Sequence, residues 1–199
     1  MKQEAYHRHF ILHKPYGYIS QFISNDLKSH KKKFLGSLYN FPEGTMAIGR
    51  LDEKSEGLLL LTTNGKISTT INSNKVEKEY YAQLDGLITS KAIEKLKNGV
   101  EIGLDGRKYI TKPSNALVIE SPNFPERARR RIRDDRHGPT SWISITLTEG
   151  KFRQVRKMTS AVGFPTLRLI RVRVGDFKLD QMVSGDVLEL EKLIELPSI

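Results

Sequence analysis

The four leucines from Leu58 to Leu61 constrain the fold most, because consecutive apolar side chains leave no polar face for water. A short apolar run bounded by turn residues is typical of a strand buried on both sides. We therefore predict a core strand within residues 57–65, ended by an Asn-Gly turn. The charged segment before it contains Asp52. From the residues alone, Asp52 is either a loop-capping residue or a reactive carboxylate at the edge of the core.

Regular spacing elsewhere predicts a mixture of strands and helices. Alternating apolar residues predict strands at 78–86 and 141–150, with Tyr80, Ala82 and Leu84 on one face of the first of them. Helical spacing predicts helices at 89–99 and 151–163, and the second places Phe152 on its apolar face. Short strands with a few helices between them favour an α+β fold around a mixed, mostly antiparallel central sheet with flanking helices. A further short helix is predicted at residues 31–39.

Basic residues are concentrated in three segments of this 199-residue chain, whose net charge is +10. Residues 151–175 contain seven Lys or Arg and no acid, residues 126–137 contain six arginines and three acids, and residues 27–33 add a short basic run. Ordinary surfaces intersperse charges of both signs, so this clustering indicates a phosphate-binding face and a nucleic-acid partner. We interpret the long stretch 121–140 as a basic loop or insertion that binds RNA.

Several classes of protein are excluded by what the sequence lacks. There is no cysteine, which excludes disulfide scaffolds and thiol nucleophiles. No long apolar run or secretory signal is present, so we expect a cytoplasmic protein that does not span a membrane. The zincin, phosphate-loop, dinucleotide-binding and nucleophile-elbow motifs are missing, so we expect no metal and no cofactor. Without heptads or a broad exposed apolar stripe, we expect a monomer.

Four ordered blocks resemble the RsuA-type pseudouridine synthases. Residues 49–65, GRLDEKSEGLLLLTTNG, are similar to the catalytic motif of that family. Residues 13–17, HKPYG, resemble its opening, residues 78–86 its K-x-Y strand, and residues 147–177 its E-G-R-N-R-Q-V-R-R-M block with the following strand. The resemblance covers roughly residues 10–190. It implies the pseudouridine synthase fold, with a catalytic cleft between two subdomains.

The resemblance also implies the domain organisation and the substrate. It implies one catalytic domain over residues 1–199. The Lys-Pro motif begins at residue 14, which leaves no room for the small N-terminal S4 domain that many relatives carry. The implied activity is isomerisation of a specific uridine to pseudouridine in the 23S rRNA of the large subunit, as part of bacterial ribosome biogenesis. Because the reaction is an isomerisation, no cofactor is implied.

Site residues follow from the resemblance, residue by residue. Asp52 matches the catalytic carboxylate, and it either attacks C1′ of the ribose or removes the C2′ proton. Tyr80 matches the tyrosine that stacks on the flipped uracil, Val155 would pack on the other side of the base, and Arg156 matches the active-site basic residue. Further candidates for binding phosphates or ribose are Lys14, Arg50, Lys78, Arg153 and Gln154. Taken singly, Tyr80 also suits a core strand position and Arg156 a solvent-facing helix.

Two departures and two alternatives accompany this prediction. Lys151 and Phe152 stand where the family motif has Arg and Asn, so a bidentate donor and a polar group are replaced. The arginine-rich residues 126–137 match no part of the family pattern. One alternative function is a non-catalytic RNA-binding or ribosome-assembly factor, and the other is a pseudouridine synthase that acts on tRNA.

Overall fold

The computed structural model describes residues 7–23, 32–72, 76–125, 132 and 137–193. These residues group into two compact units. The first takes the described residues of 1–73 and 179–199, and the second those of 74–178. Strands predominate, three α-helices accompany them in the described part of the chain, and the strand pairings within each unit are antiparallel. The predicted α+β class is confirmed.

The first unit is built on β3, Glu56–Thr62, the strand that the leucine run predicted. All seven of its residues are buried. Strand β1, His9–Lys14, lies between β3 and β11, Val187–Leu190, while β2, Met46–Ile48, pairs along β3 as well. Helix α1, Gly65–Asn72, follows β3 directly.

The core of the first unit lies on one face of these strands. Phe10, Leu12, Leu35, Leu59 and Leu61 are all fully buried in one cluster. Aromatic rings extend it: Phe10 meets Phe41 edge to face at 5.4 Å between ring centroids. A second face of β3 is also closed to water, which explains why the strand carries no alternating polar residues.

The second unit contains a four-stranded antiparallel arrangement. Its order is β9, Thr166–Val174, then β4, Lys78–Asp85, then β8, Thr140–Leu147, then β7, Asn115–Ile119. The short strand β10, Phe177–Lys178, pairs with β9. A separate hairpin joins β5, Glu101–Leu104, to β6, Arg107–Ile110. Helices α2, Ser90–Asn98, and α3, Gln154–Ala161, complete the unit.

Burial in the second unit follows the predicted alternation. Tyr80, Ala82 and Leu84 of β4 are buried, and the intervening residues are half-buried. Helix α2 lies within the predicted range 89–99, and it begins after Thr89, whose side chain accepts a hydrogen bond from the Ala92 N–H. A register shift in the β4–β9 pairing lies between Glu79 and Tyr80.

Strand β3 ends before Asn64-Gly65, and the Asn64 side chain accepts the Lys66 N–H at the start of α1. Two other local predictions differ from the structure. The helix expected at 31–39 is only the 3-10 turn Leu35–Ser37 among its described residues. Phe152 precedes α3 and is exposed, since the helix starts two residues later. Most of the arginine-rich segment 126–137 lies outside the described residues.

Candidate active site

The loop that carries Asp52 is held by a buried serine hydroxyl. Ser20 Oγ donates to the Leu51 carbonyl and accepts from the Leu51 N–H, at 2.9 Å in both cases. The loop closes on itself through the Ser55 N–H, which donates to the Asp52 carbonyl at 3.0 Å. Asp52 itself is half-buried. Its backbone is therefore fixed on both sides while its side chain keeps some access to solvent.

The Lys-Pro-Tyr-Gly turn supports the same loop. The Gly17 N–H donates to the Glu53 carbonyl at 2.8 Å. Lys14 is fully buried, and its Nζ donates to the carbonyls of Pro15 and Tyr18, which shapes the turn. The turn at residues 13–17 and the loop that carries Asp52 are therefore joined in one structural piece. The observed contacts of Lys14 organise the backbone beneath Asp52.

Gly49 allows helix α1 to approach the loop closely. Its φ is +71°, a left-handed backbone conformation that is strained for any residue with a side chain. A Cβ at this position would lie 2.9 Å from Asn72 Oδ1. The glycine of the G-R-L-D motif is thus required by geometry. Arg50, the next residue, is exposed.

Tyr80 lies on the buried face of β4, in the second unit. It is paired in register with Ile145 of β8 and with Arg171 of β9, a buried arginine. Lys78 precedes it on the same face, and its Nζ donates to the Val76 carbonyl at 2.9 Å. Burial, assisted by the positive charge of Arg171, lowers the pKa of Lys78. The structure thus groups Lys78, Tyr80 and Arg171 at one end of the strand pair.

The other predicted residues of the second unit lie at the start of α3. Val155 is buried, and Arg156 is half-buried with its Nη1 donating to the Thr166 carbonyl at 3.2 Å. Arg153 is the N-cap residue and has φ +53°, an uncommon conformation outside glycine. A turn that imposes left-handed backbone on an arginine needs strong support from its neighbours.

Glu149 supplies that support. It is 2% exposed, and its carboxylate accepts hydrogen bonds from the Tyr109 hydroxyl at 2.6 Å, the Lys112 N–H at 3.0 Å and Gln154 Nε2 at 2.6 Å. Gln154 Oε1 accepts from the Lys151 N–H at 2.9 Å. Burial alone would raise the pKa of Glu149, but these hydrogen bonds and the Lys151 charge outweigh it and lower the pKa. Both Oε1 and Nε2 of the Gln154 side chain thus form hydrogen bonds within the chain.

The basic segment 151–175 divides between exposed and structural residues. Arg168 and Arg171 are buried, and Arg168 Nη2 donates to the Pro125 carbonyl at 3.1 Å. Arg173 is paired with Glu77 at 2.9 Å and Glu79 at 3.0 Å. Part of the positive charge that indicated a phosphate-binding face therefore stabilises the second unit itself. Lys151, Arg153 and Lys157 have more access to solvent.

Sequence reasoning did not find Ser20 or Glu149, which position the two predicted site segments. A serine three residues after a Lys-Pro-Tyr-Gly turn gives no recognisable signal. Glu149 was missed because an acid followed by a glycine and basic residues does not by itself indicate a buried carboxylate. No helix in the described ranges has both the length and the apolar character needed to cross a bilayer.

Comparison with known proteins identifies the family. The family model described as RNA pseudouridylate synthase matches residues 8–161. The chain belongs to this family. It is 39% identical to ribosomal large subunit pseudouridine synthase E of Vibrio parahaemolyticus over 91% of this chain and 73% of the relative. It is 37% identical to the protein of the same name from Xanthomonas axonopodis pv. citri over 86% of this chain and 88% of the relative.

A solved structure gives the same result for the fold. The crystal structure of a pseudouridylate synthase has a TM-score of 0.73 and 25% identity, and the match covers 96% of this chain and 73% of that one. The predicted family, fold and enzyme class, an isomerase that converts uridine to pseudouridine in RNA, are confirmed. The family match includes the positions of Asp52, Tyr80 and Arg156.

Proposed function

We propose that this pseudouridine synthase modifies one uridine of the 23S rRNA of the large subunit, with Asp52 as its catalytic residue. The substrate is inferred from the relatives named ribosomal large subunit pseudouridine synthase E, which match most of this chain. The observation that carries the proposal is the rigidly held Asp52 loop, in a chain whose family isomerises uridine. A loop fixed by its own backbone holds a reactive carboxylate in place before substrate arrives.

The isomerisation of uridine to pseudouridine requires a single carboxylate from the protein. The N1–C1′ bond breaks, the uracil turns, and C5 bonds to C1′, so the atoms of the uridine are conserved. The C5 proton is released to solvent and N1 gains a proton. One carboxylate assists the ribose, either by attack at C1′ or by removal of the C2′ proton. A second carboxylate that activates water, as in many glycosidases, would favour hydrolysis and loss of the base.

The base must leave its stack to reach such a carboxylate. We propose that Tyr80 stacks on the flipped uracil and that Val155 contacts its other face. Both side chains belong to the second unit, and an aromatic face can stack on any base. We propose that Arg156, which matches the family's active-site basic residue, contributes a positive charge to substrate binding.

The remaining predicted contacts divide by their observed surroundings. Arg50 and Arg153 have access to solvent, and we propose that they bind phosphates. Lys78 lies two residues before Tyr80 on the same face of β4, and we propose that it contacts the ribose or a phosphate. For Lys14 and Gln154 the hydrogen bonds within the chain support positioning of the neighbouring loops. We also propose a cytoplasmic monomer.

Tritium release tests the proposed function. The wild type should release tritium from 23S rRNA transcribed with 5-tritiated uridine, because the C5 proton leaves when C5 bonds to C1′. Asp52→Asn should abolish release while the protein still folds, since the backbone of the loop is held by Ser20. Glu53→Gln, an exposed neighbour in the same loop, is the matched control and should retain release.

Other outcomes would support the alternatives. Binding of rRNA without release in the wild type would indicate a non-catalytic RNA-binding or ribosome-assembly factor. Release from tRNA but not from 23S rRNA would indicate the tRNA enzyme. Mapping pseudouridines in cells that lack the protein distinguishes the two RNAs, because only the true substrate loses a modified position.

A further inference from the structure

Phe152 is exposed in a place where an aromatic residue has no structural reason to be. It lies in the turn between β8 and α3, and 68% of the residue is accessible to solvent. Lys157 Nζ lies 5.2 Å from the centroid of its ring. This contact orients the ring without burying it, because a lysine ammonium covers little of an aromatic surface.

The turn around Phe152 is fixed to the β5–β6 hairpin by three contacts. Lys157 Nζ donates to the Gly103 carbonyl at 2.8 Å, and Lys151 Nζ lies 5.2 Å from the centroid of the Tyr109 ring. The Tyr109 hydroxyl in turn donates to Glu149. An exposed aromatic ring on a rigid turn loses little conformational entropy when it binds a partner.

The charged residues that neighbour Phe152 in the turn and at the start of α3 are cations. Lys151, Arg153 and Lys157 flank Phe152, and we call these four residues the Phe152 tip. The nearby acid in sequence, Glu149, is buried and already accepts three hydrogen bonds, so it does not offset the surface charge. A protein-docking surface is typically an apolar centre depleted in lysine. An aromatic ring among cations is the pattern of single-stranded nucleic-acid binding.

We propose that the Phe152 tip binds RNA outside the catalytic contacts, with Phe152 stacked on an unpaired base near the target uridine. Lys151, Arg153 and Lys157 contact the phosphates on either side of that base. The tip leads directly into α3, which carries Val155 and Arg156, so the stacked base lies close along the RNA to the reacting nucleotide. The proposal rests on the proposed function for the choice of RNA.

Binding by Phe152 variants tests this proposal. Affinity for an unmodified 23S rRNA transcript is measured in the Asp52→Asn protein, so that the RNA is not converted. Phe152→Ala should weaken binding about tenfold, the effect typical of losing one stacked base. Phe152→Trp should restore it, because a larger ring still stacks. Leu87→Ala is the matched control, since Leu87 is 63% exposed in the same unit and should leave affinity unchanged.

A second measurement locates the base. A shorter rRNA fragment that retains binding is synthesised with an abasic site at each position in turn. At one position, the abasic site should weaken binding by the protein that retains Phe152 about tenfold. The same abasic site should not weaken binding by Phe152→Ala any further. Abasic penalties that remain undiminished in Phe152→Ala at every position would overturn the proposal.

The remaining outcomes are also decisive. Unchanged affinity of Phe152→Ala for the transcript would overturn the proposal, and weaker binding to large-subunit particles alone would point to a ribosomal protein instead. Equal losses in Phe152→Ala and Leu87→Ala would indicate a general effect and overturn it too. Normal tritium release by the wild type, together with unchanged RNA affinity of Phe152→Ala, would reject only the proposed role of the Phe152 tip. Absent release in the wild type, with the Phe152 effect intact, rejects only the proposed function.

Discussion

The Asp52 loop and the turn before α3 both present predicted site residues on irregular backbone, yet they are held by different chemistry. Neutral groups hold the first: the Ser20 hydroxyl and the Gly17 N–H bind backbone atoms of the loop. A charged group holds the second, because the buried carboxylate of Glu149 collects donors from three other residues.

This difference has consequences for stability and for pH. Hydrogen bonds between neutral groups contribute the same free energy of folding at every pH at which the protein is folded. A buried carboxylate contributes only while it is ionised. Removing the carboxylate also leaves several buried donors without an acceptor, which costs more than removing a single hydroxyl. The contrast therefore predicts a ranking of effects and a distinct pH dependence for each region.

Glu149→Ala should have the largest effect. It removes the acceptor of the Tyr109 hydroxyl, the Lys112 N–H and Gln154 Nε2, so we expect a loss of about 3 kcal/mol in the free energy of unfolding at pH 7. Urea unfolding measures it. Glu101→Ala is the control, because Glu101 is exposed and pairs only with exposed Lys108, and it should cost well under about 1 kcal/mol. Equal losses in the two variants would refute the central role of Glu149.

Ser20→Ala should cost less, about 2 kcal/mol, because it leaves the buried N–H and carbonyl of Leu51 without their partner. The loss should be the same at pH 7 and pH 4, unlike that of Glu149→Ala. It should also lower kcat in tritium release more than it raises KM, since the loop carries Asp52. Ser37→Ala, at an exposed serine in the same unit, should leave both unchanged. A pH-dependent loss in Ser20→Ala would remove the contrast between the regions.

Much of this fold could be predicted because its signals are local. The leucine run predicted β3, alternation predicted β4 and β8, and helical spacing predicted α2. Tyr80, Ala82 and Leu84, which alternation placed on one face of β4, are all buried.

The predictions that failed concern features that only tertiary structure decides. Helical spacing extended α3 back to Phe152, but the backbone there turns through a left-handed Arg153 to satisfy the buried Glu149 and Gln154 side chains. Charge counting treated the arginines of β9 alike, although Arg168 is buried and Arg173 is paired with two acids. Ser20 was missed because its partner, Leu51, lies 31 residues away along the chain.

Gly49→Ala tests the Asp52 loop from its other end and should have a moderate effect. A side chain at φ +71° strains the backbone, and the added Cβ meets Asn72 Oδ1, so we expect a loss of about 1.5 kcal/mol in the free energy of unfolding. Thermal unfolding measures it. Gly65→Ala is the matched control, since Gly65 begins α1 in open space and alanine there should be neutral or slightly stabilising. A harmless Gly49→Ala would mean that the loop is not tightly held.

Tyr109→Phe should have the smallest effect and the most informative pH profile. It removes one of the donors to Glu149, which at pH 7 should cost about 1 kcal/mol in the free energy of unfolding. The Tyr109 hydroxyl is among the groups that lower the pKa of Glu149. A carboxyl whose pKa is lowered by folding stabilises the protein above its unfolded pKa, near 4.5, and loses that contribution as the pH falls through the folded value.

The difference between wild type and Tyr109→Phe should therefore be full at pH 7 and disappear as the pH falls from 4.5 through the lowered pKa of folded Glu149, because only then does the carboxyl become protonated in both folded proteins. Urea unfolding at a series of pH values measures this. Tyr39→Phe, in the aromatic cluster of the first unit, should show no such trend, since its ring packs against Phe10 and Phe41. If Tyr109→Phe instead lost stability equally at all pH values, the hydroxyl would act independently of the charge on Glu149, and the turn before α3 would be held by neutral contacts, as the Asp52 loop is.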